Sequence, residues 1–155
     1  MELTRNLIVE SVSRLNPTAP HQVEVSATVA DAVSLMRRER VGCLLVVQDT
    51  RLVGVFTERD LLTKVLGQNA PLSSPMATIM TPHPVAVNRN DPIRTAVERM
   101  QEGGYRHVPV VDEENHPVGV LSAKRIVHYL VEHFPATVYN QPPDPHRVPD
   151  TPEGA

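Results

Sequence analysis

Gly54-Val55-Phe56-Thr57-Glu58-Arg59-Asp60 is the stretch whose reading decides the fold. Leu52 and Val53 before it, and Val55 and Phe56 within it, are apolar and partly β-branched, as a strand requires. Leu61, Leu62, Val65 and Leu66 follow at i, i+1, i+4 and i+5, the spacing of one helix face. The stretch therefore reads as a strand end, a tight exit and the first turn of a helix running from Glu58 to about Leu66. Thr57 stands at the N-cap, where its hydroxyl can accept from a backbone N–H. A strand that feeds a helix start also leaves N–H donors and a positive dipole end free, which suits an anion such as phosphate. A second copy of the pattern follows, Gly119-Val120-Leu121-Ser122-Ala123-Lys124-Arg125.

The repetition extends outward from both copies. Upstream of the first lie a short strand around Val23 and Val25, a helix opened by Thr28, and a strand from Val41 to Val47. The apolar positions of that helix, Val29, Ala32, Val33 and Met36, recur 64 residues later as Ile93, Ala96, Val97 and Met100. Val85 and Val87 repeat the early strand, and Asp91-Pro92 marks a helix start with proline in the first turn. A strand Tyr105–Val111, a turn Asp112–Asn115, a strand Pro117–Leu121 and a helix to about His133 complete the second unit. After that turn the offset becomes 65, so the turn holds one extra residue. Self-similarity at a fixed period is an architectural signal. The chain is a duplicated unit of strand, helix, strand, strand, helix, spanning 7–68 and 76–134. Each unit alone has a small apolar face, and two packed together bury both.

Outside the units the pattern stops. Met1 to Leu15 form an amphipathic piece with Leu7, Ile8, Val12 and Leu15 on one side, broken by Asn16-Pro17-Thr18-Ala19-Pro20. Six of the last 21 residues are proline, so 135–155 reads as an extended or disordered tail.

Composition narrows the function classes. The 155 residues carry a formal charge of −3, with 3% aromatics and no Trp. That balance argues against a nucleic-acid partner and against base-stacking platforms. The lone cysteine, Cys43, sits in an apolar run and cannot form an internal disulfide, which fits core filling in a reducing compartment. No apolar run approaches membrane-spanning length and no leader pattern opens the chain, so a cytoplasmic protein without a membrane partner is expected. His128 and Glu132 have i, i+4 spacing, but two ligands do not define a metal site. No nucleophile elbow, phosphate loop or dinucleotide fingerprint is present, and no enzyme is expected.

The duplicated Gly-φ-φ-Ser/Thr-x-x-Asp exit (φ, an apolar residue) resembles the motif of tandem CBS domains, the Bateman module. Ile79-Met80-Thr81-Pro82-His83-Pro84-Val85 and Arg106-His107-Val108-Pro109-Val110-Val111-Asp112 are similar to that family's other segments. The resemblance covers about residues 7 to 134. It implies an α+β fold of two β-α-β-β-α repeats packed about a pseudo-twofold axis. It further implies an adenosine nucleotide (AMP, ADP or ATP) or related adenosyl ligand in the cleft between the repeats, a regulatory role toward an effector protein, and disc-like homodimers.

Residue chemistry fits a nucleotide and also a plainer role. An ionised Asp60 could accept both ribose hydroxyls, and Thr57 could donate to ribose or phosphate. Thr57 and Asp60 also form a capping-box pattern, which satisfies helix N–H groups without any ligand. In the second repeat Ser122 keeps the hydroxyl, but Arg125 replaces the acid. A guanidinium has no acceptor and cannot hold a ribose diol as a carboxylate does, so one nucleotide site per chain is expected. The Lys124-Arg125 pair is similar to one repeat in the gamma subunits of AMP-activated protein kinases. By that likeness Lys124, Arg106 and His107 would face the phosphate of a nucleotide anchored at Asp60, a task suited to Lys and Arg. If His107 is a contact, protonation strengthens the binding as pH falls. Solvated charge is the plain alternative for Lys124 and Arg106, and a strand-end histidine for His107. Val55, Val108 and Pro109 are candidates for an adenine wall as well as core residues.

Two functions of different class follow: a nucleotide-sensing regulatory module, or a structural dimerisation module whose cleft is empty or degenerate.

Overall fold

The computed structural model describes residues 2–133; the tail expected at 135–155 lies outside the described residues. Helix α1 (Glu2–Ile8) and a 3-10 turn (Val12–Leu15) open the chain. The expected single amphipathic piece is thus two, divided at Val9–Ser11. The first repeat then runs β1 (Gln22–Glu24), α2 (Val29–Glu39), β2 (Cys43–Gln48), β3 (Arg51–Thr57) and α3 (Glu58–Asp60). Leu61–Leu66 continue α3 with π-helical winding. Helix α4 (Met76–Ile79) and β4 (Thr81–Pro82) lead into β5 (Val87–Asn88), α5 (Ile93–Gly103), β6 (His107–Val111), β7 (Pro117–Ser122) and α6 (Ala123–Glu132). The α+β fold of two alike repeats is as expected.

Both repeats share one register. Parallel pairing of β1 with β2 sets Val23 against Val46, and that of β5 with β6 sets Val87 against Val110. The antiparallel hairpins both shift register one residue later, at Val46/Val47 and Val110/Val111. Two strands begin later than their apolar runs suggest, at Cys43 and His107. Arg40 and Gly104 close the preceding helices in left-handed backbone, and two residues are spent leaving that turn. Pro92 is the N-cap of α5, just outside the first turn, with φ −64° and ψ 150°.

The repeats trade their leading segments. Val12 and Leu15 are buried in the second repeat's core among Val87, Ile93, Val108 and Leu121. Met76 and Ile79 are buried in the first repeat's core among Val29, Leu44, Phe56 and Val65. Matching bonds hold each segment: Val12 N–H donates to Asp91 O at 2.8 Å and Met76 N–H to Ala27 O at 2.7 Å. Beyond these helical turns the chain crosses to the edge of the other sheet. β4 pairs antiparallel with β3, and Thr18 bridges Val120 of β7. The crossing leaves no room for side chains beneath it. A Cβ on Gly54 would meet Met80 Sδ at 2.4 Å and Thr81 O at 3.0 Å, and one on Gly119 would meet Pro17 Cβ at 2.7 Å. Glycine in both Gly-φ-φ motifs is therefore a requirement of close backbone approach.

A further tie comes from the turn with the extra residue. Asn115, at φ 67°, donates its side-chain amide to Leu52 O at 2.9 Å, and Leu52 N–H donates to Asn115 O at 3.0 Å. Asp112 shapes that turn by accepting the N–H groups of Glu114 and His116, which hold its carboxyl below the usual range.

The exchange predicts a remote effect. Leu15→Ala removes a side chain from the second repeat's core, at about 2–5 kcal/mol. Native-state hydrogen exchange should lose more protection across 87–126 than across 29–65; the reverse distribution would contradict the exchange.

Candidate nucleotide-binding cleft

β3 delivers Thr57 in extended backbone (φ −120°, ψ 166°) to the N-cap of α3. Asp60 N–H donates to Thr57 Oγ1 at 3.2 Å, and Thr57 N–H returns to Asp60 Oδ2 at 3.0 Å, a complete capping box. Thr57 Oγ1 also donates to Oδ2 at 3.1 Å. The second carboxylate oxygen has different partners: Thr81 Oγ1 donates to Oδ1 at 3.0 Å and Lys64 Nζ stands 3.1 Å from it. Lys64 Nζ also reaches Thr81 Oγ1 at 3.1 Å and Met80 O at 3.4 Å. Asp60 is 6% exposed, so its charge sits almost out of water with partners at all of its roughly four acceptor positions. The plain capping role and a place at the cleft coexist.

Asp60 borders a cavity of about 890 Å³ between the repeats. The first repeat contributes Val55, Thr57 and Asp60, and the second contributes Arg106, His107, Val108 and Pro109. Seven of the eight residues singled out in the sequence thus meet at one cleft. Lys124 is not among them. It lines a separate hollow of about 280 Å³ with Ser122, Arg125, His128 and Glu132. There Ser122 Oγ accepts from Arg125 N–H at 3.1 Å, half of a capping box, and no acid completes it. Val108 and Pro109 are buried, while Arg106 and His107 are exposed to the cavity and solvent.

Several lining residues were not nominated from sequence. His21 and His83 come from the two leading segments, Arg40 from the end of α2, and Cys43 from the start of β2. Lys64 could have been found from its i+4 spacing to Asp60 on one helix. Thr81 could not, because its hydrogen bond depends on β4 crossing to β3. Among the described residues, no three side chains of the metal-ligating types cluster as a metal site. No helix among them is long and apolar enough to cross a membrane.

The sequence profile described as "CBS domain" matches residues 12–67 and 76–132. The chain belongs to the CBS domain family. Over 104 residues it is 38% identical to the meiotically up-regulated gene 70 protein of Schizosaccharomyces pombe, a match covering 66% of this chain and 14% of that one. The chain thus spans a small part of that curated relative. A CBS domain protein from Pyrobaculum aerophilum, solved complexed with AMP, superposes with a TM-score of 0.69 at 29% identity, covering 79% of this chain and 98% of that one. The structure of CBSX2 in complex with AMP gives a TM-score of 0.67 at 27% identity, with 79% and 97% covered.

Within this CBS pair the thiol of Cys43 is placed to stay protonated. Burial, and then the negative charge of Asp60, push it up to about 11 from 9.0. Each unit is a factor of ten in thiolate below the transition. Iodoacetamide at pH 8 should therefore label Cys43 about 100-fold more slowly than an ordinary thiol, measured by intact-mass kinetics. Asp60→Asn should accelerate the labelling; equal rates in both proteins would remove the carboxylate from the thiol's surroundings.

Proposed function

We propose that the chain is a regulatory module that binds an adenosine nucleotide, AMP, ADP or ATP, in the cleft between its two CBS repeats. The observation that carries this reading is the buried Asp60 carboxylate at the edge of a cavity that also holds Arg106 and His107 of the other repeat. Two solved relatives of the same fold are complexed with AMP. In this reading the Asp60 carboxylate accepts the ribose hydroxyls in exchange for Thr81 and Lys64, the partners of its Oδ1. Lys64, once released, is a further cation near the ligand. Arg106 and His107 donate to phosphate, and Val55, Val108 and Pro109 flank the base. Binding therefore alters a contact that joins the repeats, which is a change an effector protein can read.

A thermal-shift titration tests the reading. A nucleotide at about 100 times its Kd adds about 2.7 kcal/mol of stability, and Asp60→Ala should abolish the shift. A flat titration with all three nucleotides would leave the paired carboxylate as a lock between repeats over an empty cleft.

The module's partner in this reading is a second copy. Leu62 and Leu66 beyond α3 are 63% and 64% exposed, and Val127 of α6, the counterpart of Leu62 at the 65-residue offset, is 58% exposed. Equivalent apolar positions on the pseudo-twofold pair of helices suit a self-complementary contact. Leu62→Glu with Val127→Glu should convert a dimer to a monomer in sedimentation velocity; a wild-type monomer would refute the pairing.

A further inference from the structure

Equivalent backbone positions in the two repeats carry very different residues. α2 ends at Arg40 with φ 55° and ψ 47°, and α5 ends at Gly104 with φ 67° and ψ 25°. Both positions close a helix in left-handed backbone, where glycine is at ease and a long side chain is disfavoured. The second repeat uses the unstrained residue. The first holds an arginine there, against backbone preference, and Arg40 borders the cleft that Asp60 borders. A cation at a helix C-terminus is favoured by the helix dipole, but Arg37 and Arg38 already supply that charge in the last turn of α2.

Strain that a twin position avoids points to a task for the side chain. The surroundings indicate which. The cleft gathers Arg40, Arg59 and Arg106 in a chain whose net charge is −3. Of the acids on its border, Asp60 is paired with Lys64, which leaves Glu58 as the counter-charge. The net excess of two positive charges is what one phosphate group matches, but three guanidiniums together carry about fifteen N–H donors, more than one phosphate group can accept, so the donors suit a longer phosphate chain. His21 and His83, one from each leading segment, border the same cavity and can donate to further phosphate oxygens.

We infer that Arg40 is a specificity-determining residue that grips the phosphate chain of a nucleoside di- or triphosphate and makes this cleft prefer such ligands to a monophosphate. The inference rests on the nucleotide reading above and extends it to a ligand class. Its signature is a trade of stability for binding. A merely structural residue would not show it.

The test uses the whole chain, calorimetric titration with AMP, ADP and ATP in the presence of EDTA, and melting curves without ligand. Wild-type protein should bind ATP at least about tenfold more tightly than AMP. Arg40→Gly should raise the ligand-free melting temperature by about 2–4 °C and weaken ATP at least about tenfold, with AMP changed far less. Arg40→Asn, which tolerates left-handed backbone without the charge, should lose ATP affinity likewise. Arg37→Gln should leave all affinities as they are. Equal wild-type affinities for AMP and ATP, an unchanged ATP affinity in Arg40→Gly, or a lowered melting temperature in that variant would each overturn the inference while leaving the nucleotide reading intact. Sodium pyrophosphate separates the remaining case. If nucleotides do not bind, pyrophosphate binding that Arg40→Gly abolishes upholds the arginine as an anion grip, and its absence sinks both proposals.

Discussion

A carboxylate that is almost out of water must be neutralised where it stands, and for Asp60 the partners come from both repeats. Thr57 and Lys64 belong to the first, and Thr81 arrives on the strand that crosses from the second. Desolvating an unpaired charge costs several kcal/mol even after relaxation, so the crossing strand and the helix start are held to one another. The same two oxygens are the acceptors a ribose would need. In the nucleotide reading proposed above, ligand recognition and inter-repeat contact draw on one group, so neither changes without the other. That sharing is a physical route from binding to altered geometry; it requires no separate relay between distant sites.

Duplication gives the chain freedom to specialise one half. The two Gly-φ-φ motifs keep glycine because a crossing chain lies over each. They keep a hydroxyl because each caps a helix. At Arg125 and Asp60, and again at Gly104 and Arg40, the repeats diverge. These differences fall at the ends of motifs, where they change charge at the cleft or hollow and leave the core positions alone. The extra residue in the Asp112–Asn115 turn is a third difference. It lets Asn115 hold Leu52 at the start of the strand that ends at Thr57. Pro117, the counterpart of Leu52, has no N–H with which to return the contact.

The duplication was legible because periodicity is local. Alternating Val23 and Val25, the 64-residue recurrence of Val29, Ala32, Val33 and Met36, and the Thr57 cap each depend on near neighbours. Thr57 and Asp60 were legible for the same reason, lying within one short motif, whereas Arg106 and His107 were picked out by the same likeness as Lys124 and, unlike it, line the cavity with Asp60. Contacts between residues far apart in sequence were not legible. Lys124 was drawn toward the phosphate by likeness alone, and the first turn of α6 lines the other hollow. Thr81 gives no local sign that its hydroxyl ends on Asp60. Arg40 looks like one more surface arginine in Arg37-Arg38-Glu39-Arg40 until its φ is known. The late starts of β2 and β6 follow from the same left-handed turns, which hydrophobic patterning cannot register.

The exchange of leading segments also decides what counts as a folding unit. Without Met76 and Ile79 the first repeat's core loses two buried side chains beside Phe56 and Val65; without Val12 and Leu15 the second loses two beside Ile93 and Leu121. Each repeat, cut at the sequence boundary, would expose an apolar notch that only the other half fills. Closing the second repeat's core joins Val12 and Leu15 to Ile93 and Leu121, 78 to 109 positions away, whereas Met76 and Ile79 lie only 11 to 23 positions from Val65 and Phe56, so the loop-closure penalty falls mainly on the second core. The segment that completes each core continues beside that same repeat's motif: Met76–Ile79 into β4 next to Gly54, and Val12–Leu15 into the Thr18 bridge to Val120. Asp60 meets Thr81 only where the second repeat's leading segment has crossed to the first, so a first repeat cut at residue 68 lacks that contact.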